Sequence, residues 1–431
     1  MAHLTGEGSS PDVAASLATA FAEEWSHVVA TLIRVTGDWS LAEDCAQEAF
    51  LAATTRWERD GVPDRPGAWL RTVARNAAVD RLRRRATESR KLTVLAAGAD
   101  GVDPGGQIEN GDLDDESGVP DDRLRLIFTC CHPALPLEGR VALTLRTLCG
   151  LGVPEIARAF GSSEAAMAKR LVRARQKIAH ARIPYRVPGA AELPERLSAV
   201  LAVVYLVFTE GYSATAGPSP VRADLCLEAI RLARLLARLV PGEAQVHALL
   251  ALTLLHDARR PARVDEDGSL VPLEEQDRSR WDASLVAEGC SALEQAQRLA
   301  TGDSPLLLQA EIAACHSTLT GSASPDWSLV VHLYDRLLAL GPSPHAELSR
   351  AVALGMRDGP DAALALVRAL AHSPLLDGTL APVAAEADLL RRAGRTAEAS
   401  GAYRRALDLV VTDGEAAFLR RRLDELDPRG R

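Results

Sequence analysis

A short segment near the middle of the chain carries the pattern of two helices joined by a tight turn. The residues PEIARAFGSS place Ile156 and Phe160 four apart, which predicts a short amphipathic helix, and Gly161 follows as the turn. The next residues, SEAAMAKRLVRARQK at 163–177, combine an apolar stripe with a basic surface. The stripe consists of Met167, Leu171, Ala174 and Ile178. A helix of this kind packs on the protein with its apolar face and contacts DNA phosphates with its basic surface. The two helices and the turn between them therefore predict a helix-turn-helix.

Composition extends the helical prediction to the whole chain. Of 431 residues, 47% are hydrophobic, which is enough for two or three domains with cores and excludes a disordered chain. Ala, Leu and Arg dominate and aromatic residues are few, so we predict an all-α fold. The longest weakly polar run, residues 197–208, is too short to cross a bilayer of roughly 30 Å. Without an evident leader, the sequence predicts a cytoplasmic protein.

Charge is separated along the chain by sign. The formal net charge is -9, which taken alone argues against a nucleic-acid partner. Residues 71–91 nevertheless contain eight Arg or Lys, whereas residues 100–122 contain nine Asp or Glu and no basic residue. Such segregation indicates local DNA contact within an acidic protein.

Composition shifts divide the chain into parts. Residues 1–15 are expected to form a flexible tail, and helical spacing predicts a compact unit over 16–90. The Gly-, Asp- and Pro-rich residues 91–120 are predicted to be an acidic linker. A second small helical domain is expected over 121–183, before Pro184 and Pro188.

A weak repeat characterises residues 190–431. The segments YDRLL and YRRAL begin at Tyr334 and Tyr403, 69 residues apart, which is about twice the roughly 34-residue tetratricopeptide period. We therefore expect a helical array similar to tetratricopeptide repeats rather than an enzyme core. The concave face of such an array suits a protein or peptide partner.

No metal, cofactor or catalytic site is predicted. Seven cysteines at wide spacing indicate free, mostly buried thiols, and adjacent Cys130 and Cys131 lack the second ligand pair of a zinc site. The histidines of the last region are isolated among apolar residues and are expected to pack or bond locally. The segment FTEGYSATAG at 208–217 has no phosphate-loop lysine and no nucleophile paired with a base.

The order of the motifs resembles the sigma-70 family of RNA polymerase initiation factors, in its short extracytoplasmic-function class. The resemblance rests on LAEDCAQEAFLAA, then PGAWLRTVARNAAVDRLRRR, then the acidic linker, then LTLRTLCGLGVPEIARAFGSSEAAMAKRLVRARQKI. It covers about residues 16–183. The remaining residues are similar to a subgroup with a tetratricopeptide-like extension, and FTEGYSATAG looks like its characteristic segment.

The resemblance implies roles for two blocks in the first domain. An acidic ridge on one helix would dock onto core polymerase, where charge complementarity sets orientation. Its residues are Glu43, Asp44, Gln47 and Glu48. The following basic helix would read the -10 element and hold a flipped base in a positive channel. Its residues are Trp69, Arg71, Arg75, Asn76, Asp80, Arg81, Arg83 and Arg84. From spacing alone, either surface could instead be a solvated face.

The resemblance also assigns the helix-turn-helix to the -35 element. The implied contacts are Ser163, Glu164, Lys169, Arg170, Arg173, Arg175 and Lys177. Ser163 suits the N-cap, and alanines at 165, 166 and 168 replace longer side chains, so shape readout is expected to carry part of the specificity. In the extension, Glu210 and Tyr212 would fix its orientation rather than perform chemistry.

The leading hypothesis is a promoter-specificity subunit whose partners are core RNA polymerase and promoter DNA, with a regulatory C-terminal extension. A second hypothesis is a helix-turn-helix regulator with a tetratricopeptide-like sensor that does not bind core polymerase. An enzyme with its site between the array helices is the weakest, because it needs a convergent pocket with shifted titratable groups.

Overall fold

A computed structural model describes residues 11–97, 122–160, 162–213, 221–319, 323–410 and 412–426. Over these ranges the chain is α-helical apart from turns, 3-10 segments and one isolated antiparallel bridge between Val264 and Leu270. The predicted all-α fold is confirmed. The helices of the first half are α1 (Pro11–Thr36), α2 (Trp39–Asp60), α3 (Pro66–Ala97), α4 (Asp122–Cys130), α5 (Leu137–Thr147), α6 (Val153–Ala159) and α7 (Glu164–His180).

The second half continues with further helices and three 3-10 segments. The helices are α8 (Leu193–Tyr212), α9 (Ala223–Leu239), α10 (Ala244–Asp257), α11 (Ala283–Leu299), α12 (Pro305–Ser317), α13 (Trp327–Leu340), α14 (Pro344–Asp358), α15 (Pro360–Leu370), α16 (Leu380–Arg392), α17 (Thr396–Leu407) and α18 (Asp413–Leu426). The 3-10 segments are Arg260–Ala262, Leu273–Glu275 and Arg278–Arg280. The chain divides into two compact units: the first unit spans 1–158 and 162–203, and the second unit holds the remainder.

The three helices α1, α2 and α3 pack together in the first unit. Gly37, at φ +65°, ends α1, and Asp38 caps α2 by accepting hydrogen bonds from the backbone N–H groups of Ser40 and Leu41, both at 3.0 Å. The apolar faces bring Trp25 and Phe50 together, with ring centroids 5.9 Å apart, in the centre of this bundle. The helix caps and the apolar contacts therefore set how α2, which carries the acidic ridge, packs against the basic helix α3.

The helix-turn-helix lies at the end of the first unit, where α7 packs on α5. Ser163 is the N-cap of α7, and its Oγ accepts a hydrogen bond from Ala166 N at 3.2 Å, which confirms the predicted cap. The four residues of the predicted stripe are buried. The Gly161 turn lies outside the described residues.

In the second unit, the helices from α9 to α18 each pack on the next one along the chain. Buried Tyr403 lies in a core with Leu364, Val367 and Leu390, which joins α15, α16 and α17. Such sequential packing suits an array of helical hairpins. Its likeness to tetratricopeptide repeats stays a prediction.

Three boundaries differ from the composition-based expectations. Helix α1 begins at Pro11, inside the segment expected to be a tail. Helix α3 continues to Ala97, and the rest of the expected linker, 98–120, lies outside the described residues. Helix α8 runs across the boundary between the units at 203, so the extension begins inside a helix rather than in a proline-rich turn.

Candidate nucleic-acid interface

The ridge predicted to bind polymerase lies on the outer side of α2. The inner side buries Leu41, Cys45 and Ala49 in the bundle core. On the outer side Asp44 and Glu48 are exposed, and Gln47 is half-buried. Two carboxylates one turn apart therefore face solvent on a helix that is rigidly held.

Glu43 is the exception among the four ridge residues, because its side chain is only 3% exposed. Its Oε2 accepts a hydrogen bond from Arg146 Nε at 2.9 Å, and its Oε1 accepts one from Arg175 Nη2 at 2.5 Å. The Thr147 hydroxyl also donates to Oε1, at 3.2 Å. A residue predicted to bind polymerase thus forms a buried ion pair with one predicted to bind DNA, and in this arrangement neither is presented to a partner.

The basic helix α3 divides into paired and unpaired cations. Arg71 Nη1 bonds Glu24 at 2.8 Å, and Arg81 lies 3.1 Å from Glu48 and 3.8 Å from Asp44. The predicted residues that are exposed and form no ion pair with described residues are Arg75, Asn76, Asp80, Arg83 and Arg84. These unpaired side chains form the part of α3 that can meet phosphates or a base edge without losing an internal contact.

A groove of about 330 Å³ lies between α1 and the start of α3. Val28 and Leu32 of α1 form its apolar wall, and Arg71, Arg75 and Asn76 form its polar wall. A single nucleobase is smaller than the drug-sized ligands that pockets of this volume hold. An apolar wall opposite an amide and guanidinium groups is the chemistry that an unstacked base requires.

Two side chains near the start of α3 have surroundings that the sequence does not predict. Arg65, in the loop before α3, also lines the groove, and its only signal in the sequence was a basic residue beside Pro66. Trp69, predicted to contact the -10 element, does not line the groove. It packs edge-to-face on Trp57, with ring centroids 5.7 Å apart, yet remains partly exposed.

The recognition helix α7 has a similar division between its paired and unpaired cations. Arg170 pairs with Glu138 at 2.9 Å, and Arg175 is held by Glu43 and by Ser40 Oγ at 3.3 Å. The other predicted contacts on this helix are exposed: Ser163, Glu164, Lys169, Arg173 and Lys177. Of the basic residues, Lys169, Arg173 and Lys177 are therefore available to DNA without breaking an ion pair.

Hydrogen bonds and ring contacts join the α1–α3 bundle to the helix-turn-helix domain within the first unit. Trp25 Nε1 donates to the Thr147 carbonyl at 3.0 Å, and Tyr185 Oη donates to the Ala30 carbonyl at 2.9 Å. Gly150, at φ +73°, lies so close to the Phe21 ring that a Cβ there would be 2.6 Å from it. Sequence patterns do not predict these contacts, because the residues that they join are distant along the chain. Trp25 and Thr147, for example, are separated by 122 residues. We call this arrangement the closed first unit.

Glu210 and Tyr212 lie near the end of α8, inside the second unit. Glu210 is buried, and the Tyr212 ring stacks on Phe208 with centroids 5.7 Å apart. The Arg263 guanidinium lies 3.9 Å above the Tyr212 ring centre. Between the two residues, Gly211 permits close approach of α9, because a Cβ there would lie 2.6 Å from the Cys226 amide nitrogen. The segment therefore holds the first helices of the second unit together.

The described residues can be compared with the prediction that the chain has no metal site and no membrane span. No cluster of His, Cys, Asp and Glu there could hold a metal ion, and no helix there is long and apolar enough to cross a membrane. All seven cysteines are free. Burial raises the pKa of the Cys131 thiol to about 11, although a Thr144 hydrogen bond acts against it, so this thiol stays protonated at neutral pH.

Comparison with known proteins places two matches on the first unit. Residues 22–88 match sigma-70 region 2, and residues 125–178 match sigma-70 region 4. Residues 196–297 match a family of unknown function (DUF6596). The first match thus includes the ridge and most of α3, and the second includes the recognition helix up to Ile178.

Relatives extend the likeness beyond these segments. The uncharacterized protein R00370 of Rhizobium meliloti is 43% identical over 92% of this chain and 92% of its own length. The probable ECF RNA polymerase sigma factor SigI of Mycobacterium tuberculosis is 30% identical over 38% of this chain and 55% of its own length. ECF RNA polymerase sigma factor SigL of the same organism is 31% identical over 32% of this chain and 73% of its own length.

Proposed function

Because the chain belongs to the sigma-70 family, as an alternative sigma factor of the extracytoplasmic-function class with a C-terminal extension, we propose how its residues divide the work of promoter recognition. Families of this kind are transcription initiation factors rather than enzymes, and their partners are core RNA polymerase and promoter DNA. A helix-turn-helix regulator that never binds polymerase has no need of region 2, which this chain carries over 22–88.

The ridge on α2 is proposed to dock onto core polymerase through Asp44, Gln47 and Glu48. Their exposure on a capped, packed helix supports this role. Arg81 contacts both carboxylates at the surface, where an ion pair contributes about 1 kcal/mol or less, so a polymerase cation can replace it at little cost. Glu43 would join the ridge only after its buried pairs with Arg146 and Arg175 separate.

The -10 element is proposed to lie along α3 and the groove beside it. Asn76 and Arg75 at the groove would hold an unstacked base, while Arg83 and Arg84, further along the helix, would contact phosphates. The -35 element would meet α7 through Lys169, Arg173 and Lys177 on its exposed side, with Glu164 near the helix N-terminus. In the cell, this work takes place in the cytoplasm.

The closed first unit is proposed to open when it binds a promoter. The -10 and -35 elements are about 25 base pairs apart, which is roughly 85 Å at 3.4 Å per base pair. A compact domain of about 200 residues has a radius of gyration of about 16 Å, so its diameter is about half that distance. While Arg175 is bonded to Glu43, one unit therefore cannot contact both elements.

The extension is proposed to regulate this activity. It is a separate compact unit of packed helices, and a protein or peptide partner on its surface is the interaction that helical arrays commonly support. Glu210 and Tyr212 would contribute by holding α8 to the rest of that unit, since Tyr212 contacts Phe208 on its own helix and Arg263 beyond α10.

The exposure of Asp44 and Glu48 beside the unpaired cations of α3 is the observation that carries the proposed division of roles. The test is binding of purified core polymerase, followed by promoter-dependent transcription in vitro, with the double variant Asp44→Ala/Glu48→Ala. Glu58→Ala is the matched control, because Glu58 is an exposed acid on the same helix outside the ridge.

The double variant should bind core polymerase roughly tenfold more weakly, mainly through slower association, because complementary charge steers encounter. The control should bind as the unchanged protein does. Core binding by the double variant at the level of the control would contradict the assignment of the ridge. A protein with intact core binding but no promoter-dependent transcript would contradict the DNA contacts instead.

A further inference from the structure

The second unit contains a cleft of about 630 Å³ that promoter recognition does not use. Helices α8, α10, α12, α13 and α14 surround it. Its volume lies within the range of about 300–1,000 Å³ that small-molecule sites occupy. One wall is apolar, with Ile312, Ala313 and Leu337, and Tyr205 and Tyr334 add aromatic surface.

Arg259 lines this cleft and is a buried cation without a counter-ion. The residue is 6% exposed. Its Nη2 donates to Tyr212 Oη at 3.3 Å and to His256 Nδ1 at 2.7 Å, both neutral groups, and its buried Nε has no hydrogen-bond partner. Among the described residues, no carboxylate lies within ion-pair distance of it. A buried guanidinium with neutral partners alone is costly to the folded protein.

Two other buried charged residues of the same unit do have a counter-ion. Arg422 is also buried, and it pairs with both Glu275 and Glu425. Asp257, fully buried on α10, pairs with Arg260 at 2.8 Å. Asp257 Oδ2 and Arg422 Nε also lack a hydrogen-bond partner, but each of these two residues has a counter-ion. The missing counter-ion of Arg259, at the edge of a cleft, therefore points to a partner from outside.

The groups around Arg259 define the charge of that partner. No Asp or Glu lines the cleft. Burial, aided by the neighbouring Arg259, lowers the pKa of His256 well below its ordinary value and that of His316 to about 4. Both rings are therefore neutral at pH 7, and His316 Nδ1 is buried without a partner. Arg259 is thus the only Arg or Lys among the described residues that line the cleft, which also offers the neutral rings of His256 and His316, a third histidine, His345, and an apolar wall. Arg263, the neighbouring cation, lies on the Tyr212 ring and does not line the cleft.

We propose that this cleft binds a small organic carboxylate, with its carboxylate group on Arg259 and His316 and its apolar body against Ile312, Leu337 and Tyr334. A guanidinium group matches a carboxylate in a bidentate way. A monoanion matches the one Arg of the lining, whereas a phosphate dianion would bring a second charge that no other Arg or Lys of the lining meets. The ligand is thus a carboxylic acid with an aromatic or branched aliphatic body.

The test is calorimetric titration of the full-length protein with four probes: benzoate, phenylacetate, isovalerate and 4-methylpentanoate. Benzamide is the matched neutral probe, and phenyl phosphate is the matched dianion. Arg259→Met removes the charge while keeping similar length, and Arg298→Met, on the exposed side of α11, is the matched control. Gln309→Trp, on the lining, narrows the cleft and leaves Arg259 unchanged.

At least one carboxylate should bind with a dissociation constant below about 10 mM, and Arg259→Met should weaken it at least about tenfold. Gln309→Trp should also weaken it, whereas Arg298→Met should not. Without a probe, Arg259→Met should unfold at the same or a higher temperature, since an unpaired buried charge is removed.

Three results would overturn the proposal. The first is that none of the four carboxylates binds, and the second is that benzamide binds as well as benzoate. The third is tighter binding of phenyl phosphate than of benzoate, which would assign a phosphoryl ligand. Because core polymerase and DNA are absent from this titration, its failure is distinguishable from failure of the proposed promoter contacts.

Discussion

We expect a single methyl group at Gly150 to open the closed first unit. This residue has φ +73°, and a Cβ built on it would lie 2.6 Å from Phe21 Cζ and 3.1 Å from Trp25 Cε2. Phe21 and Trp25 belong to the α1–α3 bundle, whereas Gly150 belongs to the helix-turn-helix domain. Gly150→Ala therefore places a steric clash at the contact between the two domains.

The magnitude has two separable parts. An alanine at positive φ costs about 1–2 kcal/mol, and this strain is local, so it applies to the closed and the open state alike. Overpacking against two rings costs about 1–3 kcal/mol and applies only to the closed state. At about 1.4 kcal/mol for each factor of ten, the population of the open state should rise roughly five- to 150-fold.

Gly37→Ala is the matched control. Gly37 has φ +65°, and a Cβ there would meet nothing within 4 Å, so this variant carries backbone strain without a clash. The readout is hydrogen exchange of the Trp25 indole N–H, which donates to the Thr147 carbonyl across the contact. Trp57 is buried in the same bundle away from this contact, and its indole N–H reports unfolding of the bundle itself.

Exchange at Trp25 should accelerate roughly five- to 150-fold in Gly150→Ala and remain near the original rate in Gly37→Ala, because exchange follows the open population. Exchange at Trp57 should stay unchanged in both variants. Equal rates at Trp25 in the two variants would refute the role given to this contact. A parallel acceleration at Trp57 would show unfolding of the bundle rather than separation of the domains.

Two further predictions concern charge. Arg173→Ala should reduce the slope of log affinity against log salt by about 0.9 for holoenzyme on promoter DNA, whereas Arg298→Ala should leave it unchanged; equal slopes in the two variants would place Arg173 off the DNA. The pKa of His316 is lowered to about 4 in the folded protein, so the folded state binds a proton more weakly than the unfolded state does. The contribution of His316 to the free energy of unfolding is therefore complete above pH 6.5 and is lost as pH falls toward 4. At pH 5.5 this loss is about 1.4 kcal/mol. The free energy of unfolding in urea should therefore differ less between pH 7.5 and pH 5.5 in His316→Gln than in the unchanged protein. An equal difference in the two proteins would contradict the lowered pKa.

Local features of the fold followed from the sequence because their causes lie within a few residues. Ser163 caps α7, and the stripe that includes Met167 and Ile178 is buried, as the 3.6-residue period and the capping preference require. The exposed carboxylates on α2 followed in the same way, since Leu41, Cys45 and Ala49 fix which side of that helix enters the core. Helix ends were less predictable, and α3 continues past residue 90 where composition suggested a linker.

Contacts between distant residues left no pattern in the sequence. The carboxylate of Glu43 is separated by 103 residues from Arg146 and by 132 from Arg175, and nothing in the spacing of either helix distinguishes Glu43 from exposed Asp44 beside it. Arg259 likewise stands in a run of basic residues that looks solvated, and only the fold encloses it with neutral partners. Burial of an individual charge depends on tertiary packing, which periodicity does not encode.

This distinction changes how the basic character of the first unit bears on DNA binding. Arg71, Arg81 and Arg85 of α3 pair with acids of the same bundle, as do Arg170 and Arg175 of α7 with acids of the first unit. Each of these cations must lose an internal partner before it can release a counter-ion from DNA. The count of Arg and Lys in a segment is therefore an upper bound on its phosphate contacts. The salt dependence of binding should follow the unpaired set, Arg75, Arg83 and Arg84 on α3 with Lys169, Arg173 and Lys177 on α7, until opening of the closed first unit releases Arg175.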